Sequence, residues 1–475
     1  MLLRLNDVLH HFVWGPGMLL FFMGCGIYLS CGTRLFQLTH LRLWLRSTLG
    51  SITLSKRVAS PEGDNPNAIS PFQTFTNALA GTLGTGNIVG VATALAAGGA
   101  GAIFWMWVSA FFGMITGYSE NVLGQIYRKR STDGAWHGGP MYYLEHGLHA
   151  KWLAVPFALF AVLASFGMGN MTQANSIAGA LQAGFGLSPL AVGIVCAAAL
   201  ALVAAGGIRR IGAVTEKLVP VMAFLYIAGC GILLVRFREG VPGAFADIFR
   251  GAFSLRSAAG GAGGYAVLRA MRYGVARGVF SNEAGLGSSV LVHASSSISQ
   301  PVEQGMWSIC EIFIDTLVIC TLTAVCILAT GVMGTGADGA SLVMAAFCAG
   351  LGRRGSLFLA VAVTLFAFST LLCWSYNGEL AAEYLFGARC RRFYRIFFIA
   401  LIPVGCVTEL DLVWSISDTC NGLMAVPNLI GVVLLSGTVF RETKLYLAAH
   451  SHNRELAARS TAQKASKAMH PHKKT

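Results

Sequence analysis

Apolar residues occur along most of this chain in long blocks, and charged or glycine-rich stretches separate the blocks. A helix that crosses a bilayer needs about 20 mostly apolar residues, and about eleven blocks approach that length. The pattern predicts a leading helix over residues 15–31 and ten further helices, numbered one to ten, over residues 71–98, 102–127, 152–183, 189–205, 214–236, 265–293, 305–331, 356–386, 396–414 and 418–440. We therefore predict an all-α polytopic membrane protein with about 11 spans.

Composition agrees with this pattern. Of the 475 residues, 55% are hydrophobic and only 12% are charged, whereas a soluble globular protein carries about 25% charged residues. A soluble globular protein is thereby excluded. The net charge of +13 would suggest nucleic acid in a soluble protein, but the basic residues lie between apolar blocks and at the C-terminus, as in cytoplasmic loops. Most of the 12 cysteines lie inside apolar blocks, where we expect small buried thiols rather than disulfides.

The basic residues also predict an orientation. Most of the 34 Lys and Arg fall on one side of the membrane if the link after the leading helix is cytoplasmic. The exception is a Gly/Arg-rich link over residues 238–264, which a folded external loop could accommodate. We predict a bacterial-type cell (inner) membrane protein with its N-terminus outside and its C-terminus in the cytoplasm, the leading helix being a retained span. Residues 441–475 read as a basic, solvated and disordered tail.

Two predicted helices contain glycine-rich polar breaks. Helix one carries GTLGTGN at 81–87, and helix six carries FSNEAGLGS at 280–288. The two breaks lie five helices apart. Because five is odd, each helix of the second half crosses the membrane in the opposite direction to its counterpart in the first half. Paired interrupted helices in inverted halves indicate the central site of a transporter. The predicted units are residues 1–69 with the leading helix and a cytoplasmic link, 70–237 with the first five-helix repeat, 238–440 with the external link and second repeat, and 441–475 with the tail.

The break in helix one has a chemical consequence. Three glycines at 81, 84 and 86 each cost a helix about 1 kcal/mol relative to alanine. Unwinding frees backbone amides that can bind a carboxylate at the start of a half-helix, and carbonyls that can coordinate a hard cation. We predict that this segment holds an amino acid's carboxylate and a sodium ion together. The alternatives are glycines for close helix packing and a phosphate loop, although no Gly-Lys-Ser/Thr follows to support the latter.

Carboxylates within or near the predicted spans are candidates for function by default. They are Glu120, Glu283, Glu311, Asp315, Glu379 and Glu409. Glu311 and Asp315 are four residues apart and share a face of helix seven. Glu283, in the helix-six break, could pair with Arg277 or cap freed amides. For most of these carboxylates we favour roles in helix packing or at helix ends.

One motif resembles a known family. GGAGAIFWMW at 98–107 is similar to the signature of the alanine or glycine:cation symporter family, the sodium:alanine symporters. The other similar motifs are PFQ at 71–73, GPMYY at 139–143, NMTQAN at 170–175, GVFSNEAG at 278–285, IDT at 314–316, WSY at 374–376 and GE at 378–379. The resemblance therefore covers residues 70–385 in order.

The resemblance implies a leucine-transporter-like fold, with a 5+5 inverted repeat and one extra leading transmembrane helix. It implies a substrate pocket lined by Thr82, Gly84, Thr85, Gly86, Gln173, Phe280, Ser281, Asn282, Thr370 and Trp374. It also implies sodium held by the carbonyls of Ala80 and Leu83 and the hydroxyls of Ser369 and Thr370, with no other cofactor. The chain departs from the family at Asn377, where an aromatic residue is usual, at 289–293, which replaces a Pro-containing run, and at Glu311, where a small residue is expected.

The predicted function is sodium-coupled uptake of a small neutral amino acid, most readily alanine or glycine, by alternating access in a lipid bilayer. Nucleic acid is not an expected partner. A proton-coupled permease of the same fold remains the first alternative, although the hydroxyls of Ser369 and Thr370 with no nearby Lys favour sodium. A channel predicts flux without substrate saturation. A membrane enzyme needs a reactive constellation that the sequence lacks, so we predict no enzymatic activity.

Overall fold

The computed structural model describes residues 2–54, 69–131, 134–253, 262–409 and 411–469. Its helices are α1 Leu2–Val13, α2 Pro16–Gly32, α3 Phe36–Thr39, α4 Leu41–Ser47, α5 Leu49–Leu54, α6 Pro71–Thr82, α7 Val89–Gly98, α8 Gly101–Ile126, α9 Pro140–His146, α10 Lys151–Phe166, α11 Thr172–Phe185, α12 Pro189–Ala204, α13 Gly207–Arg236, α14 Val241–Phe253, α15 Ala262–Asn282, α16 Ser288–His293, α17 Pro301–Ile312, α18 Thr321–Ala329, α19 Gly339–Leu351, α20 Arg353–Phe386, α21 Cys390–Val407, α22 Asp411–Leu434 and α23 Ser436–Met469. Short π-helical segments, Gly167–Met171 and Phe313–Cys320, join α10 to α11 and α17 to α18. Strands β1 Lys129–Arg130 and β2 Trp136–His137 form a small antiparallel hairpin.

A helix or a pair of helices covers each of the eleven predicted spans, so the all-α architecture is confirmed. Among the described residues, six helices are long and apolar enough to cross a membrane, and the count rises to eight if each bent pair is one span. One bent pair is Pro71–Thr82 with Thr85–Gly98, at 58°, and the other is Val413–Leu434 with Ser436–His452, at 57°. The chain is a multi-pass membrane protein.

Some segments differ from the prediction. Residues 436–469 form a helix, where a disordered tail was expected from residue 441 onward, and that part of the prediction is wrong. The segment is rich in Ala, Leu, Lys, Arg and Glu, which have high helix propensity. Residues 470–475 lie outside the described residues. The apolar helix α19 occupies a link between predicted helices seven and eight, and α14 occupies part of the external link.

The two broken helices lie among the longest unbroken ones. The first broken pair is α6 with α7, and α6 packs against α13 and α20. The second pair is α15 with α16, and α15 packs along α8 and against α7. This arrangement places both breaks inside the molecule, because α8 and α20 cover them.

The start of α6 is fixed by its own sequence. The Ser70 hydroxyl accepts a hydrogen bond from the backbone amide of Gln73 at 3.1 Å, and the Gln73 side chain accepts one from the Ser70 amide at 3.2 Å. Pro71 occupies the first helical position. This capping box satisfies two amides that a helix start leaves unpaired. The Gln73 side chain also donates to Glu216 on α13, which anchors α6 to its neighbour.

Candidate functional site

The first break separates α6 from α7. Helix α6 ends at Thr82, and a single 3₁₀ turn, Thr85–Asn87, precedes α7. Gly84 is extended, and its amide donates to the Asn87 side-chain oxygen at 2.9 Å. The glycine-rich break predicted from the sequence is therefore present. An amide freed from the helix is satisfied by an asparagine three residues later, which stabilises the unwound conformation.

The second break separates α15 from α16. Glu283, Gly285 and Gly287 all have positive φ angles, of 55°, 89° and 78°. This left-handed backbone suits glycine and is uncommon for glutamate. The Glu283 carboxylate accepts hydrogen bonds from the Ser288 hydroxyl and, at 3.2 Å, from the Trp374 indole nitrogen. Glu283 therefore links its own break to α20, and the suggested pairing with Arg277 is not formed.

The two breaks lie against each other. A Cβ atom built on Gly86 would lie 3.4 Å from the Ser281 Cα and 3.6 Å from the Phe280 Cδ1. Gly86, Phe280 and Ser281 were predicted from the resemblance to share one pocket, and they are neighbours in the structure. Asn282 lies beside them, where its side chain donates to the Thr316 hydroxyl at 3.1 Å.

A buried carboxylate bridges both breaks. Asp315 accepts a hydrogen bond from Asn87 at 2.6 Å, from Ser281 at 3.1 Å and from Thr316 at 2.7 Å. Its side chain is inaccessible to solvent. Asp315 was predicted to have a packing role, and Asn87 was not among the predicted site residues. The available signals were an intramembrane carboxylate and an asparagine that ends the glycine-rich motif.

Two hydroxyl groups of helix α20, those of Ser369 and Thr370, lie at the first break. The Ser369 hydroxyl lies 3.3 Å from the carbonyl oxygen of Ala80 and 3.5 Å from that of Leu83. It also donates to Phe366 O on its own helix at 2.8 Å. The Thr370 hydroxyl lies close to the backbone of Gly84, since a Cβ built there would be only 2.6 Å from it. The structure thus brings together the four residues predicted to hold sodium.

The Thr370 hydroxyl also forms a hydrogen bond within its own helix. Its hydroxyl donates to the carbonyl of Phe366, four residues earlier, at 3.1 Å. Such back-bonding is common for threonine in helices. A hydroxyl oxygen that donates its hydrogen to the helix still has lone pairs to offer to a cation, so the two roles are compatible.

Gln173 presents an unused acceptor to the first break. Its side-chain nitrogen donates to Met168 O at 3.1 Å, within the π-helical segment. Its side-chain oxygen is buried and has no hydrogen-bond partner among the described residues. That oxygen would lie 3.7 Å from a Cβ on Gly84. A buried acceptor without a partner costs free energy, so a donor from a ligand would stabilise it.

Trp374 lies between the second break and the π-helical segment Gly167–Met171. Its side chain is fully buried and packs on Gly169, where a Cβ atom would lie 2.6 Å from the Trp374 Cβ and Cγ. Its indole nitrogen donates a hydrogen bond to the Glu283 carboxylate at 3.2 Å. Trp374 therefore borders the second break and the π-helical segment, while Phe280 borders the first.

Thr82 and Thr85 are both buried at the first break. The Thr82 hydroxyl lies 3.5 Å from the Glu311 carboxylate. Glu311 also lies 2.9 Å from the Nε2 atom of His293, and both side chains are almost completely buried. His293 contacts the Gln304 side chain through its other ring nitrogen. Residues 289–293 and Glu311 are separate departures from the family in the sequence, and in the structure His293 contacts Glu311.

The oxygens around the first break are mostly neutral. No group of three or more His, Cys, Asp or Glu that could hold a metal ion occurs in the part of the chain that the structure describes. Carbonyls and hydroxyls supply most of the nearby ligand atoms, and the two carboxylates near the break are Asp315, which accepts from Asn87, and Glu311, 3.5 Å from the Thr82 hydroxyl. Oxygen ligands of this kind suit a hard cation such as sodium rather than a transition metal.

Comparison with known proteins gives consistent results. The model of the sodium:alanine symporter family matches residues 1–460. The chain is 45% identical over 452 residues to the sodium/alanine symporter AgcS of Methanococcus maripaludis, an alignment that covers 93% of this chain and 96% of AgcS. It is 36% identical over 460 residues to the putative sodium/proton-dependent alanine carrier protein YrbD of Bacillus subtilis, which covers 93% and 91% of the two chains.

Among solved structures, MhsT in complex with L-phenylalanine superposes with a TM-score of 0.58 at 15% identity. The superposition covers 78% of this chain and 89% of MhsT. At that identity the likeness concerns the fold. The leucine-transporter-like fold predicted for the chain is confirmed.

Proposed function

The chain belongs to the sodium:alanine symporter family, and we propose that it takes up alanine or glycine together with sodium, by alternating access around the two breaks. Cation-coupled amino-acid symport follows from the family itself. The observation that carries the finer proposal is the position of the Ser369 hydroxyl, 3.3 Å and 3.5 Å from two carbonyl oxygens at the end of α6.

Sodium would be held where these oxygens converge. The carbonyls of Ala80 and Leu83 and the hydroxyls of Ser369 and Thr370 would replace part of its water shell. All four residues are buried, so a cation here is shielded from bulk water and its attraction to the oxygen dipoles is strong. A bound ion would join α6 to α20, which places the ion between the two repeats.

The substrate carboxylate would lie at the start of the 3₁₀ turn. The amides of Thr85 and Gly86 open this turn, and the first amides of a helical turn lack partners within it. They can therefore donate to an anion. The unpartnered side-chain oxygen of Gln173, near Gly84, would accept a hydrogen bond from the substrate ammonium.

The substrate side chain would face Phe280 and Trp374. These bulky groups border the two breaks, whose backbone is glycine-rich. We propose that they limit the substrate side chain to about a methyl group. Thr82, Ser281 and Asn282 complete the buried polar surroundings.

Asp315 would balance positive charge next to the substrate. A fully buried carboxylate in a membrane is costly unless it is paired or protonated. The four residues proposed to hold sodium carry no negative charge, and Asp315 is a carboxylate that contacts both breaks through Asn87 and Ser281. This carboxylate also favours the second candidate, a proton-coupled permease, since Asp315 could take up a proton instead.

The proposed orientation has the N-terminus outside and the C-terminus in the cytoplasm. The basic residues of the links support it. In this orientation the start of α15 and the start of α22 lie on the outer side with α1.

The test is uptake of labelled alanine and glycine by purified full-length protein in proteoliposomes. An inward sodium gradient is compared with an equal potassium gradient and with an inward proton gradient. The proposal expects saturable uptake driven by sodium alone. Uptake driven by protons without sodium would identify the permease, and uptake that does not saturate would identify a channel.

A further inference from the structure

A basic groove lies on the surface of α13, near the beginning of that helix. Its volume is about 620 Å³, and it is lined by Arg210, Ala213, Val214, Lys217, Leu218 and Val221. These positions recur every three or four residues, so they share one face of the helix. Arg210 and Lys217 are exposed, and Val221 is 60% exposed. The groove therefore faces the surroundings of the protein and not the central site.

The sequence of α13 places this groove at the edge of the membrane. The helix has 30 residues and spans about 45 Å at 1.5 Å per residue, which matches a bilayer with its headgroups. No charged residue lies between Lys217 and Arg236, so the stretch between them matches the hydrocarbon core. Lys217 then lies at the edge of the core, and Arg210 lies about 10 Å further out, among the headgroups.

The cations of this region have no anionic partner from the protein. Arg209, Arg210 and Lys217 form no ion pair or hydrogen bond within the segments that the structure describes. Glu216 is the only acidic residue of α13, and its carboxylate accepts a hydrogen bond from the Gln73 side chain on α6 at 2.9 Å. Three positive charges at headgroup depth are therefore left for an anion from outside the chain.

We propose that the groove binds an anionic phospholipid of the surrounding leaflet. The Arg210 guanidinium and the Lys217 ammonium would bind the lipid phosphate. An acyl chain would lie along Leu218 and Val221 toward the hydrocarbon core. Arginine and lysine are common phosphate ligands, and basic pockets at a membrane edge suit acidic headgroups.

Position and charge favour a lipid over a soluble anion. Val214, Leu218 and Val221 give the groove an apolar wall, which a free phosphate would leave uncovered. Lys217 begins at the edge of the hydrocarbon core, so its ammonium extends back toward the headgroups and toward Arg210. A phosphate between the two cations offsets their repulsion. Phosphatidylcholine carries its own cation next to the phosphate, so a lipid with a net negative charge fits better.

A lipid in this groove would act on the segment that holds the start of α6. Glu216 and Lys217 are neighbours in the chain, but Glu216 bonds to Gln73 while Lys217 lines the groove. Gly212 faces α6 as well, since a Cβ atom there would lie 3.5 Å from the Gln73 Cβ. Lipid binding would therefore stabilise the part of α13 against which the first broken helix begins.

The test is a titration of the purified full-length protein in detergent micelles with dioleoyl phosphatidylglycerol, followed by the unfolding temperature. A ligand of the folded state raises this temperature. Arg210→Gln and Lys217→Gln should each raise the half-saturating lipid concentration about five-fold, and the double variant should raise it roughly ten- to thirty-fold. Dioleoyl phosphatidylcholine should give no saturable rise. Arg236→Gln removes an exposed charge from the other end of α13 and should leave the titration unchanged.

Two further measurements separate the lipid from other occupants. Glycerol 3-phosphate has a phosphate without acyl chains and should not displace the lipid, whereas displacement at equal concentration would indicate a soluble phosphate site and overturn the proposal. Light scattering reports the mass of the protein. A dimer that the double variant abolishes, with an unchanged lipid titration, would make the groove a contact between copies and overturn the lipid site.

The exchange of the two cations tests whether charge is the cause. Arg210→Lys combined with Lys217→Arg keeps both charges and should retain lipid binding. Equal titrations for the neutral double variant and the unmodified protein, or equal titrations with the two lipids, would also overturn the site. None of these measurements involves transport, so failure of the proposed function would leave their outcome unchanged.

Discussion

Asn87 donates its side-chain amide to Asp315 across 2.6 Å, while its side-chain oxygen accepts the amide hydrogen of Gly84 at 2.9 Å. One asparagine therefore connects a freed amide of the first break to a carboxylate on the segment between α17 and α18. The unwound conformation of the break depends in part on this carboxylate. A change in the charge of Asp315 would therefore alter the position of Asn87 and of the backbone proposed to bind the substrate.

Asp315→Asn should weaken binding of the coupling cation without preventing the protein from folding. The asparagine can still accept a hydrogen bond from Asn87, so the break remains connected. The lost negative charge removes the group proposed to balance sodium and substrate. We expect the sodium concentration for half-maximal alanine uptake to rise about ten-fold, the effect of losing a charged interaction.

The matched control for this experiment is Asp247→Asn, an exposed aspartate on α14 that lies away from both breaks. It should leave the sodium titration unchanged. A titration of Asp315→Asn that overlays the unmodified curve would show that Asp315 only packs helices, as the sequence first suggested. A proton-driven protein would instead lose its pH dependence in this variant.

Gly86→Val should weaken alanine binding by roughly one to two orders of magnitude. A Cβ at this position would be in ordinary contact with Phe280 and Ser281, so a single methyl fits. The two further carbons of valine would occupy the space in front of the amide proposed to meet the carboxylate. Overpacking of this kind costs about 1–3 kcal/mol, or roughly ten- to a hundred-fold in affinity.

Gly86→Ala is the control, and it should retain measurable binding of labelled alanine in scintillation proximity assays. Both variants should elute as folded protein on size-exclusion chromatography. Normal transport by Gly86→Val would place the carboxylate elsewhere.

Trp374→Ala should broaden the substrate range. Removing the indole opens space beside the second break, so valine and leucine should begin to compete with alanine, and alanine itself should bind more weakly. One apolar contact is typically worth about 1–3 kcal/mol. Trp374→Phe keeps most of the bulk and loses only the hydrogen bond to Glu283, so its competition profile should stay narrow.

Trp374 is fully buried, so its truncation to alanine also costs stability, by about 3–5 kcal/mol. Competition is therefore measured at a temperature where sodium-dependent binding of both variants is intact. Identical profiles for Trp374→Ala and the unmodified protein would remove Trp374 from the pocket.

The pair of His293 and Glu311 predicts a stability effect. Glu311→Ala removes the carboxylate that contacts the His293 Nε2 atom and the Thr82 hydroxyl, and leaving a buried polar group without its partner costs about 1–3 kcal/mol. Glu311→Gln keeps an acceptor oxygen and should cost much less. The unfolding temperature in detergent without substrate is the measurement, and equal temperatures for the two variants would contradict the assigned contact.

The sequence predicted the breaks themselves because glycines and polar residues at membrane depth have few other uses. It also placed Ser369 and Thr370 with Ala80 and Leu83 through the family resemblance. It did not predict the contact between Asn87 and Asp315, since 228 positions separate them and no local pattern links the two.

Other features depended on long-range packing in the same way. His293 and Glu311 looked like independent departures from the family, and only the fold brings them together. The helix beyond residue 440 was not predicted because the polar composition of the segment was given more weight than its high helix propensity.

Thr370→Ala is the sharpest test of the sodium site. Its hydroxyl lies close enough to Gly84 that any side chain there would collide with it. With Ser369 it supplies the two hydroxyls of the proposed ligand set. Removal of one neutral ligand should weaken sodium binding without preventing folding, because the carbonyls of Ala80 and Leu83 and the other hydroxyl remain. The sodium concentration for half-maximal uptake should rise several-fold, about 1 kcal/mol for one hydrogen-bonding group.

The hydroxyl can be separated from the bulk of the side chain. Thr370→Ser keeps the oxygen and should be much milder than Thr370→Ala. Ser375→Ala is the matched control, since this buried hydroxyl on the same helix donates to Leu372 O at 2.7 Å, within its own helix. It should leave the sodium titration unchanged.

Thermodynamic linkage between sodium and alanine binding gives a further prediction for Thr370→Ala. If sodium and alanine bind side by side, the factor by which sodium raises alanine affinity equals the factor by which alanine raises sodium affinity. Alanine affinity at low sodium should therefore fall in Thr370→Ala and recover when sodium is raised to saturation. A purely structural role, in which the hydroxyl only bonds to Phe366 O, predicts a loss that added sodium does not restore. Superimposable sodium titrations for Thr370→Ala and the unmodified protein would remove Thr370 from the sodium site.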